Sequence, residues 1–512
     1  MMDNKVKIEN FKKVLISALV LGLITYAYVF FNFTPAHDGM MTIKINQYWE
    51  MSVGRFGALY YGKMRGVVEA PWLIGVITLL FYAGAIYLTL DVLKIRFDYW
   101  KIAIVSMVYL LNIAFIANAC VYIFCLDVLA CALFLAVLSL WCFVRIDNIW
   151  GFLISALIMA FSLGLYQSYI TAAIGIYVIL SISNLSENDK VAKVIKKGLL
   201  YLASIILSGL FYLLLVKIFQ FLSGVKSYQG DAYESLGNLT SYGILDYIKL
   251  VPICYKQVFR YYFINNIYSA KWIILLNIVI AVMAVYIWIC FITKKINYRT
   301  GKILAALLVL LFPLVINGLC FLTKGNVVQM ITFPYQLLYI LMLFPLLKYG
   351  NDISVIKKVN MCHCAIVIMV VISFFVIRFA NDIFYYQKLV GEGTQASMIN
   401  IVYDIERNKD FEPDTTEIVM VGDQTTALGQ NYEFRWVYGN VSGVGTSGTT
   451  VTYNTTFYWY MRYILGRDYK INSDQEVVEK IKQTTEYKNM NVYPHDGYCG
   501  IIDGYMVIKF TE

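Results

Sequence analysis

Charge is scarce in this chain. Asp, Glu, Lys and Arg make up 15% of its 512 residues, against about 25% in soluble globular domains. Apolar types reach 60%, against about 45–50%. That balance excludes a large soluble enzyme and leaves an integral membrane protein. Histidine is nearly missing, at three residues. Cys362-His363-Cys364 is the one fragment with metal-ligand spacing. It lacks the second ligand pair that a four-ligand zinc site needs. A cleavable signal peptide is also missing: the first apolar run is about twenty residues and has no small-x-small site, so it reads as a signal anchor. No internal repeat and no paired broken helices appear, which argues against an inverted-repeat transporter.

Hydrophobic runs supply the positive content. A span needs about 20 apolar residues, which places spans near 14–33, 72–93, 101–117, 120–143, 149–164, 168–184, 198–221, 272–293, 303–323, 327–347 and 360–379. Lys and Arg concentrate in alternate loops, from Lys5 and Lys12 through Arg145, Lys193 and Lys294 to Lys357 and Lys358. The positive-inside rule then puts the N-terminus in the cytoplasm and the C-terminus outside. The net charge of +9 is explained by those loops and by anionic lipid, with no nucleic acid required. The expected fold is an α-helical polytopic membrane protein of about eleven spans over residues 1–379, with a small extracytoplasmic α/β domain over 380–512.

Two outer loops are long, 34–71 and 223–271. Ile45, Trp49, Ser52 and Phe56 share a helical face in the first. Ile248, Val251, Tyr255 and Val258 do so in the second. Both read as helices lying in the membrane interface. In the tail, 416–421 and 505–510 read as strands, and 395–407, 455–465 and 474–484 as helices.

Several residues carry candidate chemistry, each beside a plainer reading. Asp38 follows the first span in His37-Asp38-Gly39. It is either a solvated loop carboxylate or an acid aimed from the membrane surface. Asp127 lies inside a span and must face a wet cavity or a partner, with Asn112 and Asn118 the nearest candidates. Arg55, between Gly54 and Gly57, suits a phosphate or a lipid headgroup. Lys256, Arg260 and Lys324 are outer cations that could hold an anionic leaving group or simply face water. Tyr166-Gln167-Ser168-Tyr169 is a polar cluster or an interfacial anchor. Gly443-x-Gly445-x-x-Gly448 has dinucleotide spacing but no strand before it or helix directly after it, and reads as a loop. Cys254 and Cys499 fall outside the membrane on the same side, and their spacing leaves pairing open.

Taken together, His37-Asp38-Gly39, Trp49 with Gly54-Arg55-Phe56-Gly57, Pro71-Trp72-Leu73-Ile74-Gly75, Tyr122 with Asp127, Leu165-Tyr166-Gln167-Ser168 and Tyr493-Pro494-His495-Asp496-Gly497 form a pattern. It resembles the serotype-converting glucosyltransferases that decorate O-antigen and related surface glycans, within the GT-C class. The resemblance implies a GT-C-like fold and transfer of a hexose, most simply glucose, from a polyprenyl-phosphate donor to a surface glycan outside the cytoplasmic membrane. It implies Asp38 as the catalytic acid residue. His37, Arg55, Asp127, Tyr166, Gln167, Lys256 and Arg260 are then the expected substrate contacts. No cofactor is implied; a divalent cation is compatible with the chemistry, though no motif supports one. The tail departs from the family form by placing Tyr498 where Ser is expected. The alternatives are a flippase for a lipid-linked glycan, or a glycan polymerase or ligase.

Overall fold

The computed structural model describes residues 2–32, 34, 36–40, 42–43, 48–66, 68–228, 243–353, 360–433, 441, 444 and 448–511, with the side chains of residues 2–4, 37 and 244 left out. Ile45, Lys357, Lys358, Gly443, Gly445 and the His37 side chain therefore lie outside the described residues.

Seventeen helices run through the first four-fifths of the described chain. They are α1 (Met2–Phe31), α2 (His37–Met40), α3 (Tyr48–Ser52), α4 (Phe56–Arg65), α5 (Pro71–Val92), α6 (Tyr99–Leu110), α7 (Ile113–Val121), α8 (Leu126–Arg145) and α9 (Ile149–Leu165). There follow α10 (Ile170–Ser186), α11 (Val191–Ser223), α12 (Ile244–Phe263), α13 (Lys271–Lys295), α14 (Arg299–Ile316), α15 (Leu319–Leu322), α16 (Leu337–Tyr349) and α17 (Met361–Arg407). Their boundaries have local causes. Pro71 opens α5 at the position where its missing N–H costs nothing. Asn112, Asn148 and Asn360 cap α7, α9 and α17 by accepting from backbone N–H groups. Gly224, with φ +69°, ends α11 in the left-handed conformation.

Among the described residues, eight helices are long and apolar enough to cross a membrane. The pair α6 and α7, bent by 48°, makes a ninth if taken as one broken span. At that break Asn112 Nδ2 donates to Tyr109 O, and Ile113 N donates to Tyr268 Oη. Backbone groups exposed by a kink at membrane depth need such partners. The remaining expected spans are shorter: α9 has 17 residues, and 327–347 resolves into two 3₁₀ turns, Gln329–Ile331 and Phe333–Gln336, before the 13-residue α16. Pro334 opens the second of those turns, and Pro345 sits inside α16.

Polar contacts sort the bundle into two ends. At one end Lys94 and Lys348 meet Glu187, Arg145 meets Asp91, and Lys197 meets Asp147. At the other, Asp38 and the loops following α1, α4 and α7 gather. α17 continues unbroken for 47 residues, so the expected division at 379/380 falls inside a helix, and the expected helix 395–407 is its final stretch.

The tail folds around a four-stranded sheet in the order β2 (Ile471–Asn472), β1 (Ile418–Val421), β4 (Tyr505–Lys509), β3 (Cys499–Ile502). β1 runs parallel to β2 and β4, and β3 and β4 form an antiparallel hairpin. Asp503 and Gly504, both at positive φ, make its two-residue turn. The helix Asn454–Tyr463 packs on the sheet through Phe457, Tyr460 and Met461, and Met40 of α2 joins the same apolar core. The loop that carries Asp38 is thereby fastened to the tail.

Candidate active site

The described part of the first long loop folds as three short helices, α2, α3 and α4, rather than one. Gly54, at φ +85°, turns the chain after α3. Arg55 N then bonds Glu50 O at 2.7 Å and α4 starts. α11 holds α3 in place, because Gln220 Nε2 donates to Met51 O at 3.0 Å. Phe56, fully buried, stacks on Phe219 at 4.8 Å and fits against Gly164 of α9. A Cβ on Gly164 would stand 2.2 Å from the Phe56 ring. Gly164→Ala is therefore expected to cost about 1–3 kcal/mol by overpacking, read as a lower unfolding temperature of the detergent-solubilised protein.

This docking closes one side of a cavity of about 530 Å³. Asp38, Glu50 and Arg55 line it with the aromatics Trp49, Tyr122 and Tyr166. Its floor is apolar, with Val128 and Leu129 of α8 and Ile331 from the 3₁₀ turn. Asn118 Nδ2 fixes that turn by donating to Met330 O at 3.1 Å. The Arg55 guanidinium lies 5.1 Å from the Tyr166 ring centroid and its Nε donates to Gln167 Oε1 at 3.4 Å. Gln167 Nε2 donates in turn to Val53 O and Tyr212 Oη. Gln167 thus orients Arg55 from outside the cavity. Tyr166 and Tyr169 are 8% and 2% exposed, too buried for an interfacial anchor. Across the loop, burial and then the charge of Asp38 push the Tyr453 phenol up.

Asp127 has a partner that the sequence reading did not find. Arg65 Nη1 binds Asp127 Oδ1 at 2.5 Å, and Arg65 Nη2 donates to Phe124 O at 2.8 Å. Val128 N also donates to Asp127 Oδ1. Asp127, expected as a substrate contact, is fully buried and does not line the cavity. Asn112 and Asn118 are occupied elsewhere. The pair ties the end of α4 to the first turn of α8, beside the cavity floor.

Glu69, in the loop before α5, is buried beside this pair, and neither carboxylate oxygen has a hydrogen-bond partner among the described residues. Burial pushes its carboxyl up to about 8, against the pull of Arg65. Two acids then share one guanidinium, and the proton on Glu69 balances the charge. A carboxyl raised on folding stabilises the fold below its ordinary value near 4.5, and that contribution is lost as pH rises through about 8. Glu69→Gln is expected to flatten the fall in thermal stability across that window, measured by melting at a series of pH values.

Lys256 and Arg260, expected as substrate contacts, are exposed on α12 and do not line the cavity. The buried stripe of α12 is Leu250, Cys254, Val258 and Tyr262. Ile248, expected on that stripe, is 58% exposed. Spacing of four along this helix selects a face rotated from the expected one, and the two cations fall on its far side. Lys324 sits at positive φ in the loop after α15 and is not a lining residue either. All ten cysteines are free thiols, so Cys254 and Cys499 do not pair. Glu50, Arg65 and Glu69 were missed. Glu50 had a signal, since it lies five residues before Arg55 in the same outer loop.

With this geometry in view, the comparison with known families is decisive. Residues 27–346 match the family described as Glucosyl transferase GtrII. The chain belongs to that family. It is a glucosyltransferase with membrane-spanning helices. The matched stretch contains every residue that lines the cavity and stops within α16, before α17 and the tail. No curated protein and no solved structure matches the chain.

Proposed function

We propose that this glucosyltransferase takes glucose from a polyprenyl phosphate and attaches it to a cell-surface glycan at the outer face of the cytoplasmic membrane. The observation that carries the reading is the cavity itself. It places two carboxylates and one guanidinium at the end of an apolar bundle, over an apolar floor. When the acceptor oxygen bonds to the anomeric carbon, the polyprenyl phosphate leaves as a stabilised anion, so no general acid is needed at the leaving oxygen, unlike glycoside hydrolysis. One carboxylate suffices to take the acceptor hydroxyl's proton. Asp38 has that role. Arg55 receives the phosphate as its charge develops, held in aim by Tyr166 and Gln167. Glu50 accepts hydrogen bonds from sugar hydroxyls. The opposite end carries the basic loops Lys94, Arg145, Lys197 and Lys348, which supports placing the Asp38 end outside.

The test is transfer by purified protein in proteoliposomes, with radiolabelled glucosyl polyprenyl phosphate or UDP-glucose as donor and surface glycan as acceptor. Label is expected in glycan from the lipid donor alone. Equal use of UDP-glucose overturns the donor assignment. Movement of the lipid donor across the bilayer with no new glycosidic bond marks a flippase instead.

Arg55→Lys gives a narrower prediction. Lys keeps the charge and loses the planar fork. Its charge-assisted bonds are worth about 1.5–3 kcal/mol, so the donor KM is expected to rise about tenfold or more. A donor KM that does not move places Arg55 against lipid headgroups rather than donor phosphate.

A further inference from the structure

The helix Asn454–Tyr463 has two unlike faces. Phe457, Tyr460 and Met461 are buried in the core of the tail. On the opposite face, Tyr458, Trp459, Arg462 and Tyr463 form a continuous aromatic and polar surface. The Trp459 and Tyr463 rings are stacked at 5.2 Å with 7° between their planes, and Tyr458 lies 4.8 Å from Trp459. The Arg462 guanidinium sits 5.8 Å from both the Tyr458 and Trp459 rings. Asp468 completes the group, pairing with Arg462 at 3.4 Å and accepting from Tyr458 Oη at 3.1 Å. Trp459 also packs against the edge of that core, while Tyr458 and Tyr463 are partly exposed and Arg462 is exposed.

The helix begins at the candidate active site. Tyr453, the residue before it, is within electrostatic reach of Asp38, and Met40 of the Asp38 loop packs beneath it. At about 1.5 Å per residue, the stretch from Tyr458 to Tyr463 covers ~8 Å of the helix, starting ~8 Å along from Tyr453. We infer that this face is a binding platform for the acceptor glycan, holding sugar units beyond the one that receives glucose. The inference rests on the surface-glycan acceptor proposed above. Sugar rings present apolar C–H faces that pack on the electron-rich faces of aromatic rings, and Asp and Arg supply partners for hydroxyls. Charge favours a neutral glycan over anionic lipid headgroups. Arg462 is already balanced by Asp468, whereas an anionic membrane surface attracts uncompensated cations.

The full-length protein in nanodiscs tests this with short and long oligosaccharides cut from the surface glycan, as ligands without donor and as acceptors with glucosyl polyprenyl phosphate. The long glycan is expected to bind, and to be used, at about tenfold lower concentration than the short one. Trp459→Ala and Tyr463→Ala are each expected to erase that gain. Tyr463 is half-buried at the helix end, so its variant stands if Trp459→Ala fails to fold. A wild type indifferent to length, or variants that keep the gain, overturns the platform. So do variants whose one defect is weaker attachment to phosphatidylglycerol vesicles, which marks a membrane belt. Length-dependent binding without any transfer keeps the platform and sinks the donor assignment.

Discussion

Asp38→Asn is expected to lower kcat for glucosyl transfer by about 10²–10⁴-fold, the usual contribution of a positioned general base. Asn matches the carboxylate in shape and cannot accept the proton. The donor KM should move little, because Arg55 rather than Asp38 is the proposed phosphate ligand, and kcat and kcat/KM should fall together. Membranes with equal protein content, assayed at saturating donor, give the comparison. Near-normal turnover would transfer the base to Glu50, the other carboxylate in the cavity. Glu50→Gln in parallel separates the two: it should weaken sugar binding more than turnover.

The second large effect is on folding. Arg65→Met removes the guanidinium from Asp127 and leaves a fully buried carboxylate with a protonated neighbour, Glu69. Breaking a buried pair from one side costs about 3–5 kcal/mol. The variant is expected to fall sharply in folded, monodisperse yield. Adding Asp127→Leu should restore much of it, because an apolar pair of similar volume tolerates burial better than a lone charge. A double variant no better than the single one would mean that the pair does not act as a unit. Any loss of activity in the rescued protein then reports how far the pair sets the angle of α4, and with it Arg55.

The membrane class and most spans were legible because they depend on local runs of residues. A stretch of about twenty apolar side chains needs no knowledge of its neighbours. Two of the tail's four strands, β1 and β4, were legible for the same reason, to within a few residues, while β2 and β3 were not. Asp-Gly between Ile502 and Tyr505 was an unused hairpin signal. The pairing of Arg65 with Asp127 was not legible. The residues are 62 apart, and a buried acid in sequence shows only that it needs a partner. The placing of Lys256 and Arg260 away from the cavity was not legible for a related reason. An amphipathic helix with apolar residues on much of its circumference offers several faces, and packing against Asn317 and Gly325 chose one that turns both cations away.

What the sequence determined by itself is the solvent in which this protein folds and the family to which it belongs, since composition and short motifs carry both. Tertiary structure decided which polar residues meet. It brought Glu50 beside Asp38 and Arg55, gave Asp127 to Arg65, and ran the helix Asn454–Tyr463 out from the Asp38 loop. Contacts between distant residues follow from how helices pack, and packing depends on side-chain shape across the whole bundle rather than on the order of residues within any one segment.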